Sequence, residues 1–224
     1  YAAFGEVSWS ITPQLTVTAG ARYTVDKKRM DGEARILSLG QPGDILSPAP
    51  LREPYAVEVE KTWREVTPRF AVEFKATPDI LLYASAARGF KGGGWQSATP
   101  DRATALRPFD PETAWNYEIG IKSDFFDRRV RLNLAAFQAS YTDIQLVFRQ
   151  GPVPLLFNAG EARIRGFEAE ANWRHDSGLT VDAGMSLLDD DILSVTAIPG
   201  ATATVQPGDD LPLTPSFQGN FSVG

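Results

Sequence analysis

Four groups of residues in this 224-residue chain have side chains that could do chemistry. His175, the only histidine, stands beside Asp176 and Ser177, the three residue types of a nucleophilic triad. A triad is assembled across space, whereas His-Asp-Ser-Gly in succession makes a tight turn, so no catalytic role is assigned. Glu168 and Glu170 are two residues apart, on one face of a strand, where paired carboxylates could act as general acid and base. Asn172 and Arg174 continue that row, which reads as a polar wall rather than a dyad. Asp189-Asp190-Asp191 offers oxygen ligands for Ca²⁺ without the ordered acidic and glycine positions of a calcium loop; it reads as the acidic start of a loop. Lys91-Gly92-Gly93-Gly94 has the glycine content of a phosphate cradle but neither the following helix nor the Lys-Ser/Thr ending, and reads as flexible backbone. No catalytic residue, metal site or cofactor is predicted, and the chain is not expected to be an enzyme.

The elements that carry these residues are strands. From Thr113, Trp115, Tyr117, Ile119 and Ile121 alternate with Asn116, Glu118, Gly120 and Lys122. After a short turn at Phe125–Arg128, Val130, Leu132 and Leu134 alternate with Arg131 and Asn133. A period of two gives each strand one apolar and one polar face, and this hairpin is expected to run on to Phe148. Further strands are predicted at Ala2–Ile11 and from Leu15, fading near Asp26–Arg29. Others run from Val57 through Phe74, with a bulge or register break at Pro68, and at Ile80–Phe90. A continuous strand is expected at Leu155–Arg174, another at Leu179–Leu187, and the start of a ninth after Leu213. No strong helix competes with the alternation. Trp9, Tyr23, Phe74, Trp115, Phe125 and Trp173 fall on apolar faces, several near strand ends.

The connections have a rhythm of their own. Turns at Thr12–Gln14, Ala76–Asp79, Phe125–Arg128 and His175–Gly178 alternate with long segments at about 30–56, 96–112, 149–154 and 189–213. In an up-and-down meander every second connection lies at the same end of the sheet, so all the short turns share one end and the long loops the other. That asymmetry, with strands of about ten residues or more, marks a bacterial outer-membrane barrel. No apolar run approaches the ~20 residues of a membrane helix. The absence of cysteine excludes disulfides and thiolate metal sites. A net charge of −6 argues against nucleic acid as a partner. Both ends lie inside alternating patterns, so the chain is expected to be an internal piece of a longer protein.

Several stretches resemble the TonB-dependent outer-membrane receptors. They are Leu82–Gly94 (LYASAARGFKGGG), Glu118–Ser123 with the Phe125–Arg129 turn, Asn158–Glu168 (NAGEARIRGFE), and Leu211–Pro215 (LPLTP). They occur in the family's order and cover nearly the whole chain. The resemblance implies an all-β fold in which residues 1–224 form about nine antiparallel strands of a ~22-stranded barrel in the outer membrane of a Gram-negative bacterium. The plug and remaining strands would lie outside this chain. It implies import of a ferric siderophore or similar scarce nutrient, with outer-membrane lipid around the barrel and the TonB complex engaged through the plug. Glu118, Lys122, Arg131, Asn133, Glu168, Glu170, Asn172 and Arg174 would then face the lumen. At the rim, Arg88, Lys91, Trp95, Gln96, Phe148 and Arg149 are the candidates for ligand contact, because cations and aromatic rings suit an anionic, aromatic chelate. A passive porin-like channel and a soluble all-β binding module are the alternatives.

Overall fold

A computed structural model of the chain describes residues 1–34, 54–96, 101–150 and 153–224. Its main element is a nine-stranded antiparallel sheet. The wall is built, in spatial order, from β1 (Ala2–Ser10), β2 (Leu15–Ala34), β3 (Tyr55–Thr77), β4 (Ile80–Lys91), β5 (Glu112–Phe125) and β6 (Val130–Thr142). It continues through β9 (Gly160–Arg174), β10 (Thr180–Val195) and β12 (Phe217–Val223). A second, three-stranded sheet joins β7 (Gln145–Gln150), β8 (Val153–Asn158) and β11 (Thr202–Ala203), and a five-residue helix, α1, spans Arg102–Leu106. Every wall strand pairs with its neighbours along the chain once the small sheet is set aside, as in a meander, and the barrel is left open.

Directly paired residues share a face, so one row can be followed across the wall. Lys122 faces Asn133, which faces Glu170, then Gly184 and Asn220. All eight polar wall residues named above, Glu118 to Arg174, lie on this polar face. The six aromatic residues assigned to apolar faces lie on the other. That face is bare: Ile119 is 63% and Phe70 51% exposed, in the middle of the sheet. Phe125 and Trp115 mark its two margins on β5. The ten-residue separation spans ~33 Å at ~3.3 Å per residue, or ~25 Å of height at a tilt of ~40°, the height of a barrel's apolar band.

Short turns close one end. In the β5–β6 turn Phe126, Asp127 and Arg128 all have positive φ (53°, 55° and 64°), an uncommon run without glycine. The turns are tied to each other by Arg128 Nε to Asp79 Oδ1 at 3.3 Å and Arg129 to Asp176 at 2.8 Å.

Five expectations need correction. The second strand does not fade at Asp26–Arg29 but continues in register with β3 to Ala34. Pro68 lies opposite Ala21 in an unbroken β2–β3 ladder; it is the β3–β4 ladder that stops, at Arg69 opposite Ala87. β6 ends at Thr142, and Asp143 (φ 55°) turns the chain off the wall into β7. The strand expected over Leu155–Arg174 is likewise two strands, β8 and β9, separated at Ala159. In both cases residues that alternate like wall strands pair with a different sheet. Asp189–Asp191 lies inside β10, not at the start of a loop. There Asp191 pairs with Arg163 at 3.0 Å, and the buried Asp190 accepts a hydrogen bond from the Leu211 amide.

The long connections fold back over the polar face. Ile144, Leu146, Phe148 and Ala159 form a core with Ala162 of the wall, joined by Tyr141, Phe157 and residues 195–211 of the β10–β12 connection. Tyr141 and Ala162 pair directly and lie on the polar face, as does the fully buried Ile192. The upper half of one face is thus roofed by loops, while among the described residues the middle of the other is left exposed.

Candidate functional site

Above the point where β4 leaves it, β3 runs on with β2 as a two-stranded ribbon. Its polar-face residues Lys61, Trp63 and Glu65 keep the parity set lower down by Arg69 and Glu73. Trp63 is 6% exposed and is the centre of the rim. Its ring meets Trp95 edge-on at 5.3 Å, with the ammonium groups of Lys61 and Lys28 at 5.2 and 5.8 Å from its centroid. Trp63 Nε1 donates to Asp110 Oδ1 at 3.0 Å and Lys61 Nζ donates to the same oxygen at 2.6 Å. Lys28 Nζ donates to the Gly93 carbonyl at 2.7 Å and pairs with Asp26 at 3.2 Å.

The glycine run beside Trp63 corrects the expectation of free backbone. A Cβ on Gly93 would lie 2.7 Å from the Trp63 ring and 2.6 Å from the Phe109 carbonyl, and one on Gly94 would lie 2.9 Å from the Phe109 ring. Gly94 and Phe109 exchange two backbone hydrogen bonds of 3.0 and 2.8 Å. Glycine is required here for close approach.

Asp110 ties this strap to the small sheet. Its amide donates to Asn158 Oδ1 at 2.6 Å, and its carbonyl accepts from Asn158 Nδ2 at 2.7 Å and Gln145 Nε2 at 3.1 Å. The hydrogen bond from Lys61 holds the Asp110 carboxyl below the usual carboxylate range; partial burial opposes this and the Trp63 N–H adds to it. A depressed value means that the unfolded chain takes up the proton first as pH falls. The stabilisation is therefore complete above the ordinary value of ~3.9 and is lost only as pH drops through the lowered one. Protection of the Asp110 amide from hydrogen exchange is expected to be constant from neutrality down to about pH 5. Loss of protection near neutrality would contradict this assignment.

The six rim candidates are not alike. Arg88 lies on the apolar face, where β3 and β4 part, and its guanidinium is used by the wall: NH1 donates to the Val66 carbonyl at 2.7 Å and to Glu65 at 3.0 Å. Proline has no N–H for a ladder, and Arg88 occupies the gap beside Pro68. Gln96 makes two hydrogen bonds with the backbone of Leu156, imitating a strand. Phe148 is the most enclosed side chain of the small sheet, 1% exposed, with its ring edge-on to Phe157 at 5.5 Å. Lys91, Trp95 and Arg149 keep exposed or half-exposed heads, Lys91 reaching Glu112 at 3.5 Å. Arg107, over the Phe157 ring at 6.0 Å, joins them. Sequence reading missed Lys28, Lys61, Trp63, Arg107, Asp110, Gln145 and Asn158. The one available signal was the unbroken parity of Lys61, Trp63 and Glu65 with Arg69.

Lower on the polar face, Tyr83 lies over Gly120 and donates to Glu118 Oε1 at 2.7 Å, with Lys122 5.6 Å from its ring. Arg131 pairs with Asp124 at 2.8 Å. Asn133 Nδ2 donates to Glu170 at 3.3 Å and Asn172 to Asp182 at 2.7 Å. Glu170 is a member of this network, and Glu168 lies two residues before it on the same face. His175 Nδ1 meets Ser177 Oγ at 2.8 Å within its exposed turn.

A family model described as TonB dependent receptor-like, beta-barrel, matches residues 1–224. The pesticin receptor of Yersinia pestis is 27% identical over 183 residues, 81% of this chain and 24% of its own length. The metal-pseudopaline receptor CntO of Pseudomonas aeruginosa strain UCBPP-PA14 is 32% identical over 151 residues, 67% of this chain and 18% of that protein. Among solved structures, the ferric yersiniabactin uptake receptor FyuA from Yersinia pestis superposes with a TM-score of 0.76 at 24% identity, over 99% of this chain and 30% of that one. The siderophore receptor PiuA from Acinetobacter baumannii gives a TM-score of 0.72 at 20% identity, over 99% of this chain and 30% of the other. These structural likenesses establish the fold. The chain spans about a quarter of the length of the pesticin receptors it matches.

Proposed function

The chain belongs to the TonB-dependent receptor β-barrel family, whose members are Gram-negative outer-membrane proteins, and on that premise we propose that it supplies part of the wall and several extracellular loops of an importer of ferric siderophores or comparable metal chelates. The family is one of receptors and transporters. In this reading residues 1–224 are a section of the barrel domain, completed by further strands and a plug, and the plug takes energy from TonB. The apolar face meets lipid, and Glu118, Lys122, Arg131, Asn133, Glu168, Glu170, Asn172 and Arg174 line the lumen.

One observation carries the proposal: the loops roof the polar face and leave Ile119 and Phe70 bare on the other. A soluble sandwich would bury its apolar face; a barrel in lipid exposes it and keeps polar groups inside. The ligand surface is drawn around Trp63, with Lys91, Trp95, Arg107 and Arg149 as contacts and Gln96 and Phe148 as supports. Cationic heads beside aromatic rings fit an anionic chelate with flat donor groups.

The test is uptake by the complete receptor of a panel of ferric catecholate, hydroxamate and carboxylate chelates. At least one is expected to be imported only when TonB is energised. Trp95→Ala and Arg149→Ala are each expected to weaken its binding about ten-fold, ~1.4 kcal/mol, with assembly unchanged. Import of sugars or cobalamin and of no chelate would overturn the assignment, and uptake without TonB would favour the passive channel.

A further inference from the structure

The bare outward face of the wall stops being apolar along one line. Ile119, Ala136 and Phe167 form a row across β5, β6 and β9. The next row up is Tyr117, Gln138, Arg165 and Asp189, and above it come Trp115, Ser140, Arg163 and Asp191, all on the same face. The Trp115 and Tyr117 rings stack at 5.9 Å and 12°, and amphipathic rings of this kind mark the edge of the hydrocarbon. Arg165 is eight residues from Trp173, at the lower margin of β9. That separation is ~26 Å along the strand, or ~20 Å of height at a tilt of ~40°. The Arg165 backbone therefore lies just inside the upper edge of an apolar band ~25 Å tall, and its long side chain ends at the level of the lipid headgroups.

The two arginines differ in what they hold. Arg163 is paired with its cross-strand neighbour Asp191 at 3.0 Å. Arg165 stands opposite Asp189 but turns to the other side, where its Nε donates to Gln138 Oε1 at 3.2 Å. It is exposed, and among the described residues its guanidinium has no carboxylate partner. Gln138 Nε2 donates in turn to Ser140 Oγ at 3.2 Å. A guanidinium, an amide and a hydroxyl in line suit a phosphate carried on a sugar. The guanidinium fork matches phosphate oxygens, and the amide and hydroxyl can exchange hydrogen bonds with sugar hydroxyls. The outer leaflet of a Gram-negative outer membrane is built of glycolipid with phosphorylated sugars.

We propose that Arg165, Gln138 and Ser140 form a docking point on the outside of the wall for the phosphorylated sugar headgroup of an outer-leaflet glycolipid. Asp191 limits its strength by occupying Arg163. The site rests on the reading that the apolar face meets lipid, and not on which nutrient is imported.

Native mass spectrometry of the complete receptor, in a phosphate-free detergent, measures binding of four probes. These are the bisphosphorylated acyl-diglucosamine lipid, its dephosphorylated form, phosphatidylglycerol and inorganic phosphate. The bisphosphorylated glycolipid should bind tightest. Arg165→Gln should weaken it about five-fold and leave the dephosphorylated form unchanged. Asp191→Asn, which releases Arg163, should tighten it, a gain that misfolding cannot produce. Arg22→Gln, on the polar face beside Thr67, should change nothing. Phosphatidylglycerol bound as tightly as the glycolipid would mean general attraction to anionic lipid, and inorganic phosphate bound as tightly would mean a free-phosphate site. Either result, or binding unmoved by both Arg165→Gln and Asp191→Asn, overturns the proposal. An environment-sensitive dye on Ile119→Cys, after any cysteine elsewhere in the receptor is replaced, tests the underlying reading separately. Blue-shifted emission in lipid vesicles is expected there whatever Arg165 does; emission as in water would overturn that reading and the docking point with it.

Discussion

Replacing Ile119 with arginine is expected to destabilise the assembled barrel by ~2–4 kcal/mol, the cost of a cationic side chain near the midplane of a barrel's lipid face. Ile119 stands at the centre of the bare face, 63% exposed, with Ala136 and Ala84 beside it on the neighbouring strands. In a soluble module a residue so exposed could be exchanged for arginine within about ±0.5 kcal/mol. The comparison with Glu118→Arg sharpens the result, because that side chain is next in sequence but on the opposite face, where it accepts from Tyr83. Glu118→Arg should lose that hydrogen bond and little else, roughly 1–2 kcal/mol. Urea unfolding of the complete receptor in lipid vesicles measures both. Equal effects of the two substitutions would refute the assignment of the apolar face to lipid.

The second large effect is expected at Phe148. Its ring is 1% exposed in the core formed with Ile144, Leu146, Ala159 and Ala162, and truncation of such a ring costs ~3–5 kcal/mol. Phe148→Ala is therefore expected to release β7 and β8 while the wall stays assembled. Arg149→Ala, one residue on with an exposed head, should leave the sheet intact. Limited proteolysis of the complete receptor separates the two: cleavage within 143–159 in Phe148→Ala alone is expected. Ligand binding should fall in both variants, in Phe148→Ala through loss of the surface and in Arg149→Ala through loss of a contact. Unaltered proteolysis in Phe148→Ala would mean that the hairpin is held mainly by Gln96, Gln145 and Asn158.

Strand existence, polarity of faces and the sorting of short and long connections were legible because each is local. A strand shows its two faces in the alternation of its own residues, and a turn such as His175–Gly178 is encoded by four adjacent residues. The rim was not legible, because its bonds join distant positions. Gln145 reaches back 53 residues to Gly92 and Lys61 forward 49 to Asp110. Nothing in Ala139–Phe148 marks Thr142 as the last wall residue, since the alternation is the same whichever sheet a strand joins. Leu155–Arg174 misleads in the same way. The Gly92–Gly94 run read as flexible because the ring that demands its bareness, Trp63, lies some thirty positions upstream.

By itself, then, the sequence determined an all-β meander with one apolar and one polar face and its long loops at one end, since a residue's side of a pleated strand follows from parity. Parity does not say which face meets water, and it cannot say which candidate residues are free. The tertiary structure shows which face the loops cover and which of these side chains are already bonded, by folding the loops over the polar face. There Phe148 and Gln96 became supports, Arg88 closed a gap in the wall, and Trp63 with Asp110 took the centre. Those outcomes depend on which surfaces meet across tens of residues, information that alternation along one strand does not contain.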